Sequence, residues 1–165
     1  MNRFLVYILI VFPLFSCTST KKENTDTPLQ FSERIVSAEM ELAEPLAKAE
    51  QSIRRQADSN SYEAMSRTAE HAEKLVQKKI DEIKKLSASE FKGGNEFKRS
   101  ALDYFGYVKS IYTTYKNIGN ANNEDVRLAH SKQMDTILAS QQNMITLMQA
   151  AQDKFAVENG FQVEN

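Results

Sequence analysis

Apolar side chains in this sequence return every three or four residues over long stretches, and that period belongs to a helix. One series runs Phe31, Ile35, Ala38, Leu42, Leu46, Ala49 and Ile53; a second runs Tyr62, Met65, Ala69, Ala72, Val76, Ile80 and Ile83. A third, Phe97, Ala101, Tyr104, Val108, Ile111, Tyr115 and Ile118, alternates steps of four and three, the seam of helix packed on helix. The fourth comprises Val126, Met134, Ile137, Met144, Met148, Ala151 and Phe155. Stripes this narrow do not hold isolated helices together, so the four must bury them against one another. Five glycines and three prolines in 165 residues leave few places to turn. The expectation is an all-α chain whose residues 28–165 form one antiparallel four-helix bundle. Helices of about 24 to 36 residues, rising about 1.5 Å per residue, make a rod roughly 40 Å long.

The boundaries have their own chemistry. Thr27-Pro28-Leu29-Gln30 offers a hydroxyl cap, a proline at the first helical position and a glutamine at the third. Pro45 lies inside the first stripe and predicts a kink. The second helix should begin after Asn60 or Ser61 and end near Leu86. Gly93-Gly94 marks the sharpest turn, with Asn95 as the next cap. After Gly119 to Asn123, a single long fourth helix should start at Glu124. Asn159-Gly160 reads as a left-handed helix stop, with Phe161 placed to pack back on the last turn.

The N-terminus is of another kind. Arg3 precedes an unbroken apolar run from Phe4 to Phe15, followed by Ser16 and Cys17, the one cysteine in the chain. A run of about 12 is short for a span, which needs about 20, and suits a signal-peptide core. Leu14-Phe15-Ser16-Cys17 resembles the lipobox of bacterial lipoproteins, with Phe15 departing from the usual small residue. That resemblance implies a signal peptide over residues 1–16, cleavage after Ser16 and lipid on Cys17. One acyl chain holds weakly and two or more hold firmly, and this class carries three. Residues 18–27 contain no apolar side chain to bury and read as a flexible tether that runs from the lipidated Cys17. Thr18 stands where Asp would resemble an inner-membrane retention signal, so the outer membrane is expected. Lys21-Lys22-Glu23 loosely resembles a surface-export cluster and reads equally well as a solvated linker.

Little in the composition or spacing points to catalysis or to nucleic acid. The net charge is −1, and becomes −2 once Arg3 leaves with the signal, which gives no basic patch for nucleic acid. The residues three before His71 and His130 are Thr68 and Arg127, so the Glu-x-x-His pairs of a di-iron bundle are absent from the sequence. Covalent haem needs two cysteines. Non-covalent haem between His130 and a methionine is conceivable, but a hydrogen-bonded boundary histidine is the plainer reading. Gly93-Gly94 lacks the Lys-Ser/Thr of a phosphate loop. Asp81-Glu82 and Glu124-Asp125 diverge by about 100° on a helix and read as solvated surface.

Two features remain. Tyr104, Tyr107, Tyr112 and Tyr115 put more aromatic surface on the third helix than a seam requires, with Gly106 among them. They are a possible partner face, or they pack along bundle edges. The mixed charges of Leu75 to Lys85 read as an exposed face laced with ion pairs. Together with the lipobox and the closing Ala151-Gln152-Asp153-Lys154-Phe155-Ala156, Asn159-Gly160-Phe161, the chain resembles small helical bacterial surface lipoproteins of unknown function. No catalytic residue comes with that resemblance. The expectation is a non-enzymatic, cofactor-free envelope lipoprotein, bound to the membrane through Cys17 and acting on an unknown envelope protein or ligand. The alternative is a periplasmic carrier of a small ligand, haem or metal in the bundle interior.

Overall fold

Thr27 starts the first helix by the reciprocal bonds its sequence predicts. Its hydroxyl accepts from the Gln30 amide at 3.2 Å, and the Gln30 side chain accepts from the Thr27 amide at 2.9 Å. The computed structural model describes residues 26–163, and all regular structure among them is helical. The elements are α1 (Pro28–Asp58), α2 (Tyr62–Lys85), α3 (Gly94–Asn120), α4 (Glu124–Ala139) and α5 (Gln141–Asn159). α1 continues through Pro45, although its burial slackens afterwards, with Leu46 and Ala49 only half-buried. The expected core face of α2 is buried from Met65 to Ile83.

Two boundaries differ from expectation. α3 is capped not by Asn95 but by Gly93 in the left-handed region (φ 70°), and it begins at Gly94. A Cβ on Gly94 would lie 2.3 Å from the Ala88 carbonyl oxygen, so this turn has no room for one. The expected fourth helix is divided at Ser140, whose amide and hydroxyl both donate to the Ile137 carbonyl. The core stripe steps seven residues there, from Ile137 to Met144, and the intervening turn is Ser140-Gln141-Gln142-Asn143. With no apolar anchor in that turn, packing does not hold it in register. The far end follows the sequence closely. Gly160 is left-handed (φ 75°), Phe161 donates to Ala156 and Gly160 to Val157, the double bond pattern of a Schellman stop. The Phe161 ring packs back on Phe155, with centroids 5.8 Å apart.

α3 is the hub, packed against every other helix, while α2 rests on α1 and α3. Its buried stripe is broader than the heptad seam, because Phe105 and Tyr112 join Phe97 and Ala101 in the core. One end is closed by five rings. Phe31 of α1 meets Phe91 of the α2–α3 turn, Phe97 of α3 and Phe155 of α5 at 5.4 to 5.9 Å. Phe97 stacks on Phe155 at 5.2 Å. At the opposite end the Arg127 guanidinium sits 3.8 Å over the Tyr62 ring and donates to the Ala121 carbonyl. Lys98 reaches back from α3 to donate to the carbonyls of Lys84 and Leu86, satisfying the C-terminus of α2 from another helix.

Of the three glycines in α3, Gly106 and Gly119 have opposite surroundings. A Cβ on Gly119 would lie 2.5 Å from the Tyr62 carbonyl oxygen and 2.8 Å from Ser66, whereas Gly106 has nothing within 4 Å. The same substitution should therefore have opposite signs. Gly119→Ala should destabilise by about 1 to 3 kcal/mol through overpacking. Gly106→Ala should stabilise by about 0.5 to 1 kcal/mol through lower backbone entropy in the unfolded chain. Denaturant titration of the two variants checks both signs.

Candidate binding groove

Where α2, α3 and α1 meet, polar side chains join across the seams. Lys79 of α2 bridges Glu41 of α1 at 2.5 Å and Glu82 at 2.8 Å; Lys116 and Thr113 of α3 both bond Glu73 of α2. The α1–α5 seam is different. The two helices touch at the aromatic end and then leave an open groove of about 800 Å³, bounded by the first third of α1, the middle of α5 and residues 161–163. Leu29, Val36 and Met40 line one wall, Ile145 and Met148 the other, and Tyr104 of α3 contributes to its lining. Met40 is 70% exposed. Gln152 crosses the groove to donate to the Ser32 hydroxyl over a long 3.4 Å. Among the described residues, the charged ones lining it are Glu33 and Glu39, both acidic.

The four tyrosines do not share one surface. Tyr112 is 3% exposed and belongs to the core, which corrects its placement on a partner face. The cause is the broadened α3 stripe, which turns that side of the helix inward. Tyr104 donates to Glu39 of α1 at 2.6 Å and Tyr115 to Glu50 of α1 at 3.3 Å. Both are thus struts between α1 and α3. Burial, reinforced by the facing carboxylates, raises the hydroxyls of Tyr104 and Tyr112 well above their ordinary range and Tyr115 to about 12. Tyr107 points elsewhere, into a shallower cleft of about 640 Å³ shared with Gly106, Met144 and Leu147. Its buried hydroxyl has no hydrogen-bond partner among the described residues, and burial raises its pKa. Of the four, only Tyr104 contributes to the α1–α5 groove.

Cys17 and the cleavage residues Leu14, Phe15 and Ser16 lie outside the described residues. His71 is exposed, and His130 is half-buried on α4 with Nδ1 3.4 Å from the Gln133 side-chain oxygen. Among the described residues, no group of three or more His, Cys, Asp or Glu side chains gathers to hold a metal, and no helix is long and apolar enough to cross a membrane. The core at the aromatic end is filled by the rings of Phe31, Phe97 and Phe155.

Sequence reasoning missed the groove residues Val36, Met40 and Ile145. The signal existed: Leu29, Val36 and Met40 step by seven and four, a second, shorter apolar row beside the main stripe of α1. Compared with known protein families, curated proteins and solved structures, the chain matches none.

Glu50 supplies a test of the α1–α3 struts. Burial raises its carboxyl, opposed by bonds from Tyr115 and Tyr112 and by the nearby Arg54 charge. The native state therefore holds this proton to higher pH than the unfolded chain does. The associated stability is present at low pH and is lost as pH rises through the native titration of Glu50. Glu50→Gln should gain melting temperature relative to the parent as pH is raised from about 4 to about 7. Paired thermal melts check this; a gap that does not widen with pH contradicts the buried placement of the carboxylate.

Proposed function

We propose that this chain is a lipid-anchored bacterial envelope lipoprotein whose helices form an antiparallel four-helix bundle acting by non-catalytic binding. The bundle arrangement is supported by its cross-helix bonds. Glu39–Tyr104 and Glu50–Tyr115 keep the same separation of 65 residues, as expected of α1 and α3 running alike. Gln77–Lys109 and Glu73–Thr113 pair falling with rising numbers, as expected of opposed α2 and α3. α4 and α5 together then make the fourth rod.

The binding reading is carried by one observation: the α1–α5 groove leaves the Met40 and Leu29 side chains exposed on a domain whose α1–α2 and α2–α3 seams are bridged by ion pairs. Apolar concavities rimmed by polar groups are where proteins take partners. Anchoring is supported by the apolar run that precedes Ser16-Cys17 and by the polar tether after it. The proposed location is the outer membrane, with the domain facing the periplasm or the cell surface.

Two measurements test this reading. Metabolic labelling with a fatty-acid analogue should mark the protein, and Cys17→Ser should abolish the mark and release the chain from the membrane fraction. An unmarked parent overturns the anchor. Met40→Asp, at an exposed position, should leave the melting temperature within about 0.5 kcal/mol of equivalent stability. The same variant should lose partners cross-linked to the parent in envelope preparations, and unchanged cross-linking overturns the groove as the binding surface.

A further inference from the structure

The groove has a chemical bias that narrows its occupant. Its walls are apolar, with Met40 and Leu29 exposed on α1 and Met148 of α5 mostly buried opposite them. Methionine walls adapt to side chains of varied shape and favour an apolar helix face over a rigid small molecule. The rim carries Glu33 and Glu39, with no cation among the described residues that line the groove. Further carboxylates follow on α1, at Glu41 and Glu44, although Lys79 and Lys48 pair with these. The α1–α2 cleft, by contrast, is lined by Arg34, Lys79 and Lys85 as well as acids; Arg34 pairs with Asp26 and Lys79 with Glu41 and Glu82, and Glu33 lies at the edge shared by the cleft and the groove.

From this charge and shape we infer that the α1–α5 groove binds a basic amphipathic helix of a partner protein, its apolar face on Met40 and Leu29 and its lysines or arginines on Glu33 and Glu39. The inference rests on the binding-module reading and names the partner chemistry. Glu39 already accepts from Tyr104 at 2.6 Å, which holds its carboxylate in place along the wall. Glu33 is exposed and makes no ion pair among the described residues, so a cation from outside can reach it. Opposed charges at a rim steer encounter and select the partner, while the apolar wall supplies most of the affinity.

The test uses the full chain and three synthetic helical peptides of about 18 residues, the length of an amphipathic helix that spans such a groove. All three share one leucine face; the polar face is lysine, glutamine or glutamate. The lysine peptide should bind most tightly and the glutamate peptide should not bind. Affinity for the lysine peptide should fall as salt is raised. Glu33→Lys should weaken it about tenfold, and Met40→Asp by at least as much, whereas Glu44→Lys, on the same helix but off the groove, should leave it unchanged. Equal weakening by Glu44→Lys means attraction to overall charge and overturns the inference. Equal, Met40-dependent binding of the glutamine peptide overturns the basic partner while leaving the binding module standing. No binding of any peptide overturns the helical occupant without touching the anchor. Binding seen only after Cys17→Ser means that the chain's own lipid fills the groove, and overturns the inference as well.

Discussion

Phe31 is fully buried one turn into α1, and its ring is where three otherwise distant segments meet. Phe91 arrives from the α2–α3 turn, Phe97 from the start of α3 and Phe155 from the end of α5. Edge and tilted contacts at these separations add specificity to a large buried area. Because the contact lies at one end, it fixes the chain's outer helices there and constrains them less farther along. The rest of the architecture can be understood from that asymmetry. α1 and α5 converge at the rings and part beyond them, and the parting is the groove.

α3 compensates for this openness. It touches every other helix, and its tyrosines extend toward α1 where backbones are too far apart to pack closely. Tyrosine suits that duty because the ring fills the gap and the hydroxyl finds a carboxylate at its far side. Glu39 thereby has two neighbours of different character, a strut behind it and open groove before it. On the α2 side, lysine–glutamate pairs cover the seams instead. Exposed pairs contribute little each, about 0 to 1 kcal/mol. Their stronger effect is to leave few uncommitted charges there, which makes the uncommitted Glu33 conspicuous.

The break at Ser140 has a similar logic. α4 packs on α3 alone among the long neighbours, and α5 carries the contacts to the aromatic end. One straight helix would have to satisfy both placements with a polar turn in its middle. Dividing the rod lets each half follow its own apolar residues, Met134 in one and Met148 and Phe155 in the other.

Much of this was legible in the amino-acid order because it depends on neighbours three or four residues apart. The Thr27–Gln30 cap, the α2 core face and the Gly160–Phe161 stop are local bonds, and local bonds are written in local sequence. The apolar run before Cys17 is likewise a property of consecutive residues. What only the tertiary structure decided involves which stripe meets which. Tyr112 entered the core because α3 is surrounded by neighbours, and a surrounded helix buries more than one seam. Phe91, in a turn, is half-buried against the core because the ends of three helices converge on it. Met40 stayed exposed because α5 diverges from α1. Periodicity states which residues share a face of one helix, but the distance to the facing helix is set by every other contact in the domain.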